Sequence, residues 1–478
     1  MKFIARVFFL VLCSSLAAGA GTTVPLVLQH VTVIDGTGAA LQPDQTVIIT
    51  AGRIADLGPA SQVKFDKTAR VIDGQGKFLI PGLWDMHVHI AGVSADPSWS
   101  KDVLLPLLLA NGITGVRDMG GDLDTLLSWK RDIESGKLLG PHIVAAGPWL
   151  AGRGRKTPEQ FPVANADEAR AAIRELKERG ADFIKILTLP SREAFFAVAD
   201  EARKQGISFV GHLPLDIDAA EASDAGMHSI EHLYYSNFAL SVSSRETELR
   251  GRLAESMKKR DSEDEEKIML EAESSYSAEK AAALWKTLKK NGTWVTPTLA
   301  SLEISTHPGR WESNHPDLAF VPPGLAKQWR ASIDDQKVKD RATSQLRQSS
   351  SDLYLTSEMH AAGVLLLAGS DSLDPFVFPG VSLHQELAQL VRAGLTPMEA
   401  LQTATQGAAQ FLGWEKKLGT IERGKTADCV LLKSNPLERI SNARETAAVI
   451  LGGRYLDAAE LGKMLSKASA AARAVKSK

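Results

Sequence analysis

The chain has 478 residues, of which 44% are hydrophobic and 23% are charged, and its formal net charge is −2. This composition is typical of a globular protein that is long enough for one barrel-sized domain and a smaller one. The small net charge gives no electrostatic reason to expect a nucleic acid or an anionic membrane as a partner.

The first twenty residues are typical of a secretory signal peptide. Lys2 and Arg6 precede a short apolar stretch, and the small residues 18–20 (AGA) suit a cleavage site. The apolar stretch is too short to span a membrane as a helix. We therefore expect residues 1–20 to be removed and the mature protein to be secreted or periplasmic. It would keep one cysteine, Cys429, and hence form no internal disulfide.

The two ends of the chain share one pattern. Residues 21–80 and 415–460 alternate apolar and polar residues in short runs that break at turn residues, as in LVLQHVTVIDGTG and TADCVLLKSNP. Such alternation is typical of strands in a small β-sandwich. We expect both ends to form one such domain, with residues 81–414 inserted between its halves. Residues 461–478 predict a terminal helix or a frayed end.

The inserted segment alternates short apolar runs with amphipathic stretches of helical length. Eight runs occur in chain order: LWDMHVH, ITGVRDMG, HIVAAGP, DFIKILT, SFVGHLP, SIEHLYY, TWVTPTLA and LLLAGSDS. Eight strands separated by helices predict a (β/α)₈ TIM barrel, so the chain is α/β in class. Two charged connections, residues 235–291 and 325–350, are interpreted as solvated helices, and their position after the sixth and seventh strands leaves open a role as a lid.

Polar residues collect where the predicted strands end, which is where a barrel of this kind carries its active site. His87 and His89 end the first strand, and residues two apart share a face, so both imidazoles can reach one cation. His212 and His232 end the fifth and sixth strands, and Asp371 ends the eighth. A single histidine at such a position is more often structural, but four histidines and a carboxylate on one rim favour a metal site.

Lys185 lies in the middle of the fourth apolar run, ADFIKILTLP, where burial of an ammonium group is costly. Its head can project from the barrel mouth, or pair with Asp182 or Asp371. Alternatively, burial can lower its pKa, and the neutral amine can react with CO₂ to give a carbamate, an anionic oxygen ligand. Because four histidines are expected nearby, we favour the carbamate.

These features resemble the metal-dependent amidohydrolase superfamily over most of the chain. The matching features, in chain order, are the split β-domain, the LIPGLWDMHVH segment, the fourth-strand lysine, the two later histidines and the eighth-strand aspartate. VRDMGG, GADFIKI and the AGSDS segment are similar to the branch that contains Xaa-Pro dipeptidases and imidazolonepropionase-like hydrolases. Imidazolonepropionases themselves use a mononuclear site without the lysine, so Lys185 argues against that activity.

The resemblance implies a binuclear metal centre. One cation would be bound by His87, His89 and Asp371. The other would be bound by His212 and His232, with carbamylated Lys185 bridging the two. Zinc is the expected metal, and manganese, cobalt, iron and nickel are compatible with the same ligands.

The resemblance also implies a mechanism. A water shared by the two cations would lose a proton and attack the substrate carbonyl, and Asp371 would pass that proton to the departing amine. Tyr234 or Tyr235 would bind the carbonyl oxygen or another substrate group, unless they only pack at the rim. Arg117 would pair with a substrate carboxylate or, in the alternative that we favour, with Asp118 or another neighbour.

Three functions are compatible with the sequence. The leading hypothesis is a secreted metallohydrolase that cleaves a C–N bond in a small molecule such as a dipeptide or an N-acyl amino acid. The second is hydrolysis of a lactone, ester or cyclic amide by the same site. The third is a non-catalytic binding protein on an amidohydrolase barrel, which the complete ligand set argues against. The sequence identifies no single substrate, and a homo-oligomer is compatible with it.

Overall fold

The structure is a computed structural model of the chain. It describes residues 24–92, 97–152, 156–187, 191–234, 236–306, 315–334 and 336–475. The expected signal peptide, residues 1–20, and Tyr235 lie outside the described residues. Within those ranges, no helix combines the length and the apolar character that crossing a bilayer would require.

The described strands belong to a sheet built from both chain ends and to a barrel built from the middle of the chain. In chain order the strands are β1 (Leu26–Val33), β2 (Gln42–Thr50), β3 (Arg53–Pro59), β4 (Arg70–Asp73), β5 (Phe78–Pro81), β6 (Leu83–Val88), β7 (Ile113–Asp118), β8 (His142–Ala145), β9 (Trp149–Ala151), β10 (Gln160–Pro162), β11 (Ile184–Ile186), β12 (Phe209–Gly211), β13 (Ser229–Glu231), β14 (Trp294–Thr296), β15 (Leu365–Leu366), β16 (Cys429–Leu432), β17 (Thr446–Leu451) and β18 (Arg454–Asp457).

The described helices cover the barrel and fill its long connections. They are α1 (Pro97–Trp99), α2 (Leu105–Ala110), α3 (Leu123–Glu134), α4 (Ala166–Arg179), α5 (Arg192–Gln205), α6 (Ala219–Asp224), α7 (Phe238–Ser241), α8 (Glu246–Lys259), α9 (Ser262–Ser274), α10 (Ala278–Asn291), α11 (Leu299–Thr306), α12 (Pro323–Asp334), α13 (Gln336–Ala362), α14 (Val381–Arg392), α15 (Pro397–Thr403), α16 (Gln406–Phe411) and α17 (Ala458–Ala474). A π-helical turn (Ser100–Leu104) joins α1 to α2, and 3₁₀ turns occur at Pro316–Phe320 and Ile440–Arg444.

Capping residues set where the barrel helices begin and end. The side chain of Asn165 accepts a hydrogen bond from the third residue beyond it and starts α4, and Ser277 starts α10 in the same way. Gly180 and Gly292 follow these helices with φ of 96° and 67°, a left-handed conformation that glycine adopts without strain. The chain can therefore turn back within a few residues into β11 and β14.

Strands from the two chain ends form one sheet in the order β18-β17-β16-β5-β1-β2-β3, with β4 alongside β1. Strand β5 joins the two halves, because it pairs with β1 in parallel and with β16 in antiparallel orientation. The buried apolar cluster of this sheet likewise combines residues of both ends, such as Leu28 and Leu431. The sandwich form and the boundaries of this domain stay predictions.

The eight apolar runs of the inserted segment are the strands β6, β7, β8 and β11 to β15. They pair in parallel within two groups, and β9 and β10 extend the second group beside β11. Backbone hydrogen bonds join the two groups of strands at both of their junctions. The amide of Asp182, just before β11, donates to the carbonyl of Ala145 in β8, and the amide of Met86 in β6 donates to the carbonyl of Ala368, just after β15, each over 2.9 Å. The α/β barrel expected from the sequence is confirmed.

The two charged connections are helical, as expected from their pattern. Residues 236–291 contain α7 to α10, and α12 and α13 lie within residues 323–362. The ring of Trp329 on α12 lies 5.7 Å from the ring of Phe376, in the loop that follows β15. The second connection is thus packed against the loop at the carboxyl end of the eighth barrel strand. The C-terminal helix α17 packs on Trp99 in the same region, since Leu325 of α12 and Leu373 of the loop contact that cluster.

Candidate metal centre

The predicted site residues meet at the carboxyl ends of the barrel strands. Five of them line one cavity of about 370 Å³, namely His89, Lys185, His212, His232 and Asp371. His87 is fully buried beside them, with Nε2 3.4 Å from Oδ1 of Asp371. All six residues that the family resemblance implied as metal ligands therefore lie in one place.

Asp371 is the centre of this cluster. Its Oδ1 lies 3.4 Å from Nε2 of His89 as well as from Nε2 of His87, and its Oδ2 lies 3.8 Å from Nδ1 of His232. The ring of His212 lies beside that of His232, with the two ring centroids 4.8 Å apart. One ligand atom each of His87, His232 and Asp371 lies within 4.8 Å of the other two, a spacing that suits groups around one cation.

Two buried nitrogens of the cluster lack a hydrogen-bond partner among the described residues, Nε2 of His87 and Nζ of Lys185. An unpaired buried polar group costs about 1–3 kcal/mol, and an unpaired buried charge costs more. A cation would satisfy the lone pair of His87, and conversion to a carbamate would make Lys185 an anionic ligand. The residues present therefore fit divalent metal ions.

Burial sets the protonation of these groups. It lowers the pKa of Lys185 to about 8, although nearby carboxylates oppose the shift. It also lowers the pKa of His232 to about 4 and holds the pKa of His87 and of His212 well below the ordinary value. Burial would raise the pKa of Asp371, but the neighbouring histidines outweigh it and hold that pKa well below its usual value. His89 differs, because the carboxylates of Asp371 and Asp118 outweigh burial and raise its pKa. Neutral imidazoles, as at the other three histidines, and an ionised carboxylate are the forms that bind metals.

The backbone at the rim is strained at three consecutive strand ends. His232, Thr298 and Asp371 follow β13, β14 and β15 with φ of 59°, 52° and 54°. Non-glycine residues seldom adopt this left-handed region, which costs each of them about 1 kcal/mol or more. Two of the three are candidate ligands, and the hydroxyl of Thr298 lies 2.7 Å from Nδ1 of His232. The backbone strain therefore occurs at positions that carry candidate ligand side chains.

Two buried carboxylates that support the site were not predicted. Oε2 of Glu231 lies 2.9 Å from Nδ1 of His87. Asp85 accepts hydrogen bonds from the hydroxyl and the amide of Ser370 over 2.6 and 2.9 Å, which ties the first barrel strand to the eighth. Each acid precedes a candidate ligand histidine by one or two residues at a strand end. An acid at such a position was the available sequence signal.

Arg117 is not placed as a substrate contact would be. Its side chain is fully buried and is not among the residues that line the cavity. One nitrogen donates to both oxygens of Glu231 over 2.8 Å, and another donates to Ser229 over 3.0 Å. The ring of Phe411 covers the guanidinium at 4.7 Å. Arg117 thus forms the structural ion pair that was the favoured alternative, with Glu231 as partner and not Asp118.

The two tyrosines receive no support as substrate contacts. Tyr234 follows His232, and its backbone hydrogen-bonds to the buried carboxylate of Asp352 on α13. It is not one of the described residues that line the cavity. Tyr235 lies outside the described residues, so its role stays a prediction.

Trp149 lines the cavity and was also not predicted. Its indole stands edge-on to His89, with ring centroids 5.9 Å apart and planes at 87°. Gly120, in the VRDMGG segment, makes room for it, because a Cβ at this position would lie 2.1 Å from Cε3 of Trp149. The glycine is therefore required by the close approach of the indole.

Comparison with known proteins identifies the family. Residues 78–456 match the amidohydrolase family. The chain belongs to this family. It is 25% identical over 472 residues to ochratoxinase from Aspergillus niger, across 86% of this chain and 80% of that protein. It is 46% identical over 59 residues to imidazolonepropionase from Idiomarina loihiensis, across 12% of this chain and 14% of that protein.

A solved amidohydrolase-type structure shows the same fold. The crystal structure of a Xaa-Pro dipeptidase with bound methionine superposes with a TM-score of 0.66 at 22% identity, across 91% of this chain and 100% of that chain. The resemblance inferred from the motifs is thus confirmed, and the protein is a hydrolase of the amidohydrolase family. The cluster of His87, His232 and Asp371 agrees with the divalent metals that this family generally uses.

Proposed function

We propose that this protein is a binuclear metal-dependent amidohydrolase that cleaves the C–N bond of a small amide or peptide-like substrate. One observation carries the proposal: four histidines, one aspartate and a buried lysine, whose Nζ has no hydrogen-bond partner among the described residues, cluster at or beside one cavity. The Xaa-Pro dipeptidase of the same fold is named for action on a peptide, which supports a C–N bond as the target.

Under this proposal His87, His89 and Asp371 hold one cation, and His212 and His232 hold the other. Lys185 contributes to both as a carbamate. The carbamate forms when the neutral Nζ attacks the carbon of CO₂: one N–C bond forms, one C=O π bond opens onto oxygen and one proton leaves, so that a neutral amine becomes an anion. The burial of Lys185 and the lowered pKa that follows from it support the neutral amine. Zinc suits imidazole and carboxylate ligands.

The chain's own residues account for proton transfer and for binding. When bound, the two cations polarise the substrate carbonyl and lower the pKa of water toward neutrality. Asp371 accepts the proton of the attacking water, because its carboxylate stays ionised among the histidines, and then donates it to the departing amine. Trp149, Leu187 and Leu373 give the cavity an apolar wall for the rest of the substrate.

We also propose that residues 1–20 direct export, so that the enzyme acts on a small molecule in the periplasm or outside the cell. N-terminal sequencing of the exported protein should give a mature chain that begins near residue 21. An exported protein that retains residues 1–20 would contradict this cleavage.

Metal analysis tests the binuclear centre directly. Protein purified, or refolded with zinc and bicarbonate, should hold about two metal equivalents. His212→Ala should lower the content to about one equivalent, whereas His360→Ala, near the C-terminal end of α13 and beside Glu399, should leave it unchanged. A wild-type content well below two equivalents after such loading would refute the binuclear site. Failure of a fully loaded enzyme to cleave any member of a dipeptide and N-acyl-amino-acid library would refute the C–N target.

A further inference from the structure

The loop after β15 is strained and is held in place by its neighbours. Asp371, Leu373 and Phe376 have φ of 54°, 103° and 66°, so three non-glycine residues within six positions are left-handed. The amide of Val377 donates to the carbonyl of Asp374 over 2.9 Å, and Phe376 is buried against Trp329. Backbone strain that the surroundings maintain in this way is characteristic of segments that aim side chains at a ligand.

Two polar side chains of this loop face the metal-site cavity and have no part in the proposed metal coordination. Ser372 is 1% exposed, and its Oγ has no hydrogen-bond partner among the described residues. Asp374 lines the same cavity, and its backbone forms a bridge with that of Ser372. A side-chain hydrogen bond with Ser301 orients its carboxyl group, whose pKa is raised to about 7 by desolvation and by the negative charge of Asp371. A buried hydroxyl with no hydrogen-bond partner among the described residues and an oriented, solvent-exposed carboxyl group thus both line the cavity where a substrate would lie.

The charges of the cavity favour a cationic group opposite Asp374. Apart from histidines, the basic side chain in the described lining is Lys185, and as a carbamate it would be anionic. The described lining then offers Asp374 no lysine or arginine as a partner. Trp149 adds aromatic surface to the same cavity, and aromatic rings attract ammonium groups.

We propose that Asp374 and Ser372 bind an ammonium group of the substrate, so that the enzyme selects amides carrying a free primary amine close to the scissile bond. The ammonium donates to the carboxylate of Asp374, and Oγ of Ser372 accepts a second hydrogen bond from it. This inference rests on the proposed function, because it assigns the substrate class of the same site. Asp374 acts as a specificity residue, and it neither binds metal nor moves a proton.

Calorimetric titration of the zinc-loaded protein at about pH 7 tests this subsite without turnover. The probes are L-leucinol, which carries an ammonium group, and 4-methyl-1-pentanol, which does not, and neither contains an amide bond that the enzyme could cleave. The wild type should bind the free amine at least about 10-fold more tightly, as expected for a charge-assisted hydrogen bond. Asp374→Asn should abolish this preference, keep the affinity for the probe without an amine and retain the wild-type metal content. Ser372→Ala should reduce the preference in part.

Asp200→Asn, a matched change at a half-buried carboxylate on α5 that pairs with Arg203 and Lys204, should leave the preference intact. Equal affinity of the wild type for the two probes, no binding of either, or a metal content lowered by Asp374→Asn would each overturn the inference. The test also separates the two proposals. If the loaded enzyme cleaves no amide and the preference still depends on Asp374, the proposed function fails and the ammonium subsite stands.

Discussion

Nδ1 of His87 lies 2.9 Å from Oε2 of Glu231, and both side chains are fully buried. Burial would raise the pKa of Glu231, but Arg117, which donates to both of its oxygens, outweighs it and holds that pKa well below the usual value. Because Glu231 is ionised, Nδ1 of His87 must donate, and Nε2 keeps the lone pair that faces Asp371. The pair fixes the tautomer in which His87 can bind a metal.

Glu231→Gln should therefore weaken metal binding without removing a ligand. The new amide presents an NH₂ group to Arg117 or to His87, both of which are donors, so one hydrogen bond is lost and His87 is less firmly oriented. We expect zinc affinity to fall about 10–100-fold, measured by competition with a chromophoric chelator. Glu178→Gln, an exposed change on α4, should have no effect.

The tautomer itself is accessible to ¹⁵N NMR of metal-free protein labelled at histidine. One imidazole should change its Nδ1 and Nε2 signals in Glu231→Gln and not in Glu178→Gln. A variant that binds zinc as tightly as the wild type and shows an unchanged imidazole spectrum would contradict the role given to Glu231. A variant that merely unfolds more easily would not alter the spectrum of the folded protein.

Lys185→Ala tests the bridging carbamate. We expect metal content to fall and hydrolysis to drop by at least about 100-fold, because an anionic ligand is lost between two cations. Short carboxylic acids such as acetate should restore part of the activity by supplying the missing oxygens. In the wild type, ¹³C-labelled bicarbonate should give a carbamate signal that the variant lacks. Lys286→Ala, at an exposed position on α10, is the control, and full activity of Lys185→Ala without added acid would refute the bridge.

Gly120→Ala tests how tightly Trp149 is packed beside His89. The added Cβ would lie 2.1 Å from Cε3 of the indole, so the ring must move. We expect a loss of about 1–3 kcal/mol in the free energy of unfolding, from denaturant titration, together with a raised KM. Gly251→Ala, in the middle of α8 with no atom within 4 Å of the new Cβ, should instead be neutral or slightly stabilising. Equal effects of the two changes would show that the indole of Trp149 is not tightly packed against Gly120.

His142 gives the stability a pH dependence that has the opposite sign to that of a buried neutral histidine. Its Nε2 lies 2.9 Å from Oδ2 of Asp428, so the pair links the barrel strand β8 to the residue before β16. Burial lowers the pKa of His142, but the hydrogen bond and the charge of Asp428 outweigh it, and the net pKa is raised above the ordinary 6.5. The stabilisation is therefore fully present below the unfolded-state pKa and is lost as the pH rises through the folded-state pKa.

His142→Gln should accordingly lower the Tm more at about pH 5.5 than at about pH 8.5, as measured by thermal unfolding of both proteins in matched buffers. His30→Gln is a useful control, because that histidine pairs with Asp44 at the surface, where ion pairs contribute little. A Tm difference between His142→Gln and the wild type that is the same at both pH values would show that His142 stays neutral when folded.

The barrel and the candidate ligands could be predicted because each depends on a local pattern. A strand is recognisable from a few apolar residues, and a candidate ligand such as His212 or Asp371 stands out as a polar residue at its end. The supporting residues could not be predicted in the same way. The pairing of Arg117 with Glu231 joins positions 114 residues apart and depends on how two strands are placed around the barrel. The sequence offers Asp118 as a nearer partner for Arg117, and only the closed barrel excludes it.

The cavity wall escaped prediction for a related reason. Trp149 begins the three-residue strand β9 and Asp374 lies in a loop, so neither belongs to a segment long enough for periodicity to be informative. Their places depend on close packing at Gly120 and on three strained residues after β15. Residue type alone does not show that a glycine is needed for close packing, nor that a leucine adopts a left-handed backbone conformation. Substrate specificity in such folds usually depends on loops, so the substrate could not be predicted from the sequence, although the family could be.

The shared sheet also dictates an order of folding. Strand β5 needs β16 on one side, with Pro81 opposite Cys429, and the contact of Arg53 with Gly424 spans 371 residues. At synthesis rates of about 5–20 residues per second, roughly 20–70 s pass between the two strands. During this interval β5 is an open edge beside a forming barrel, a state prone to intermolecular pairing. The C-terminal strands therefore complete the fold as its last step. A chain that ends before β16 keeps β5 as an unpaired edge strand that can pair with another molecule.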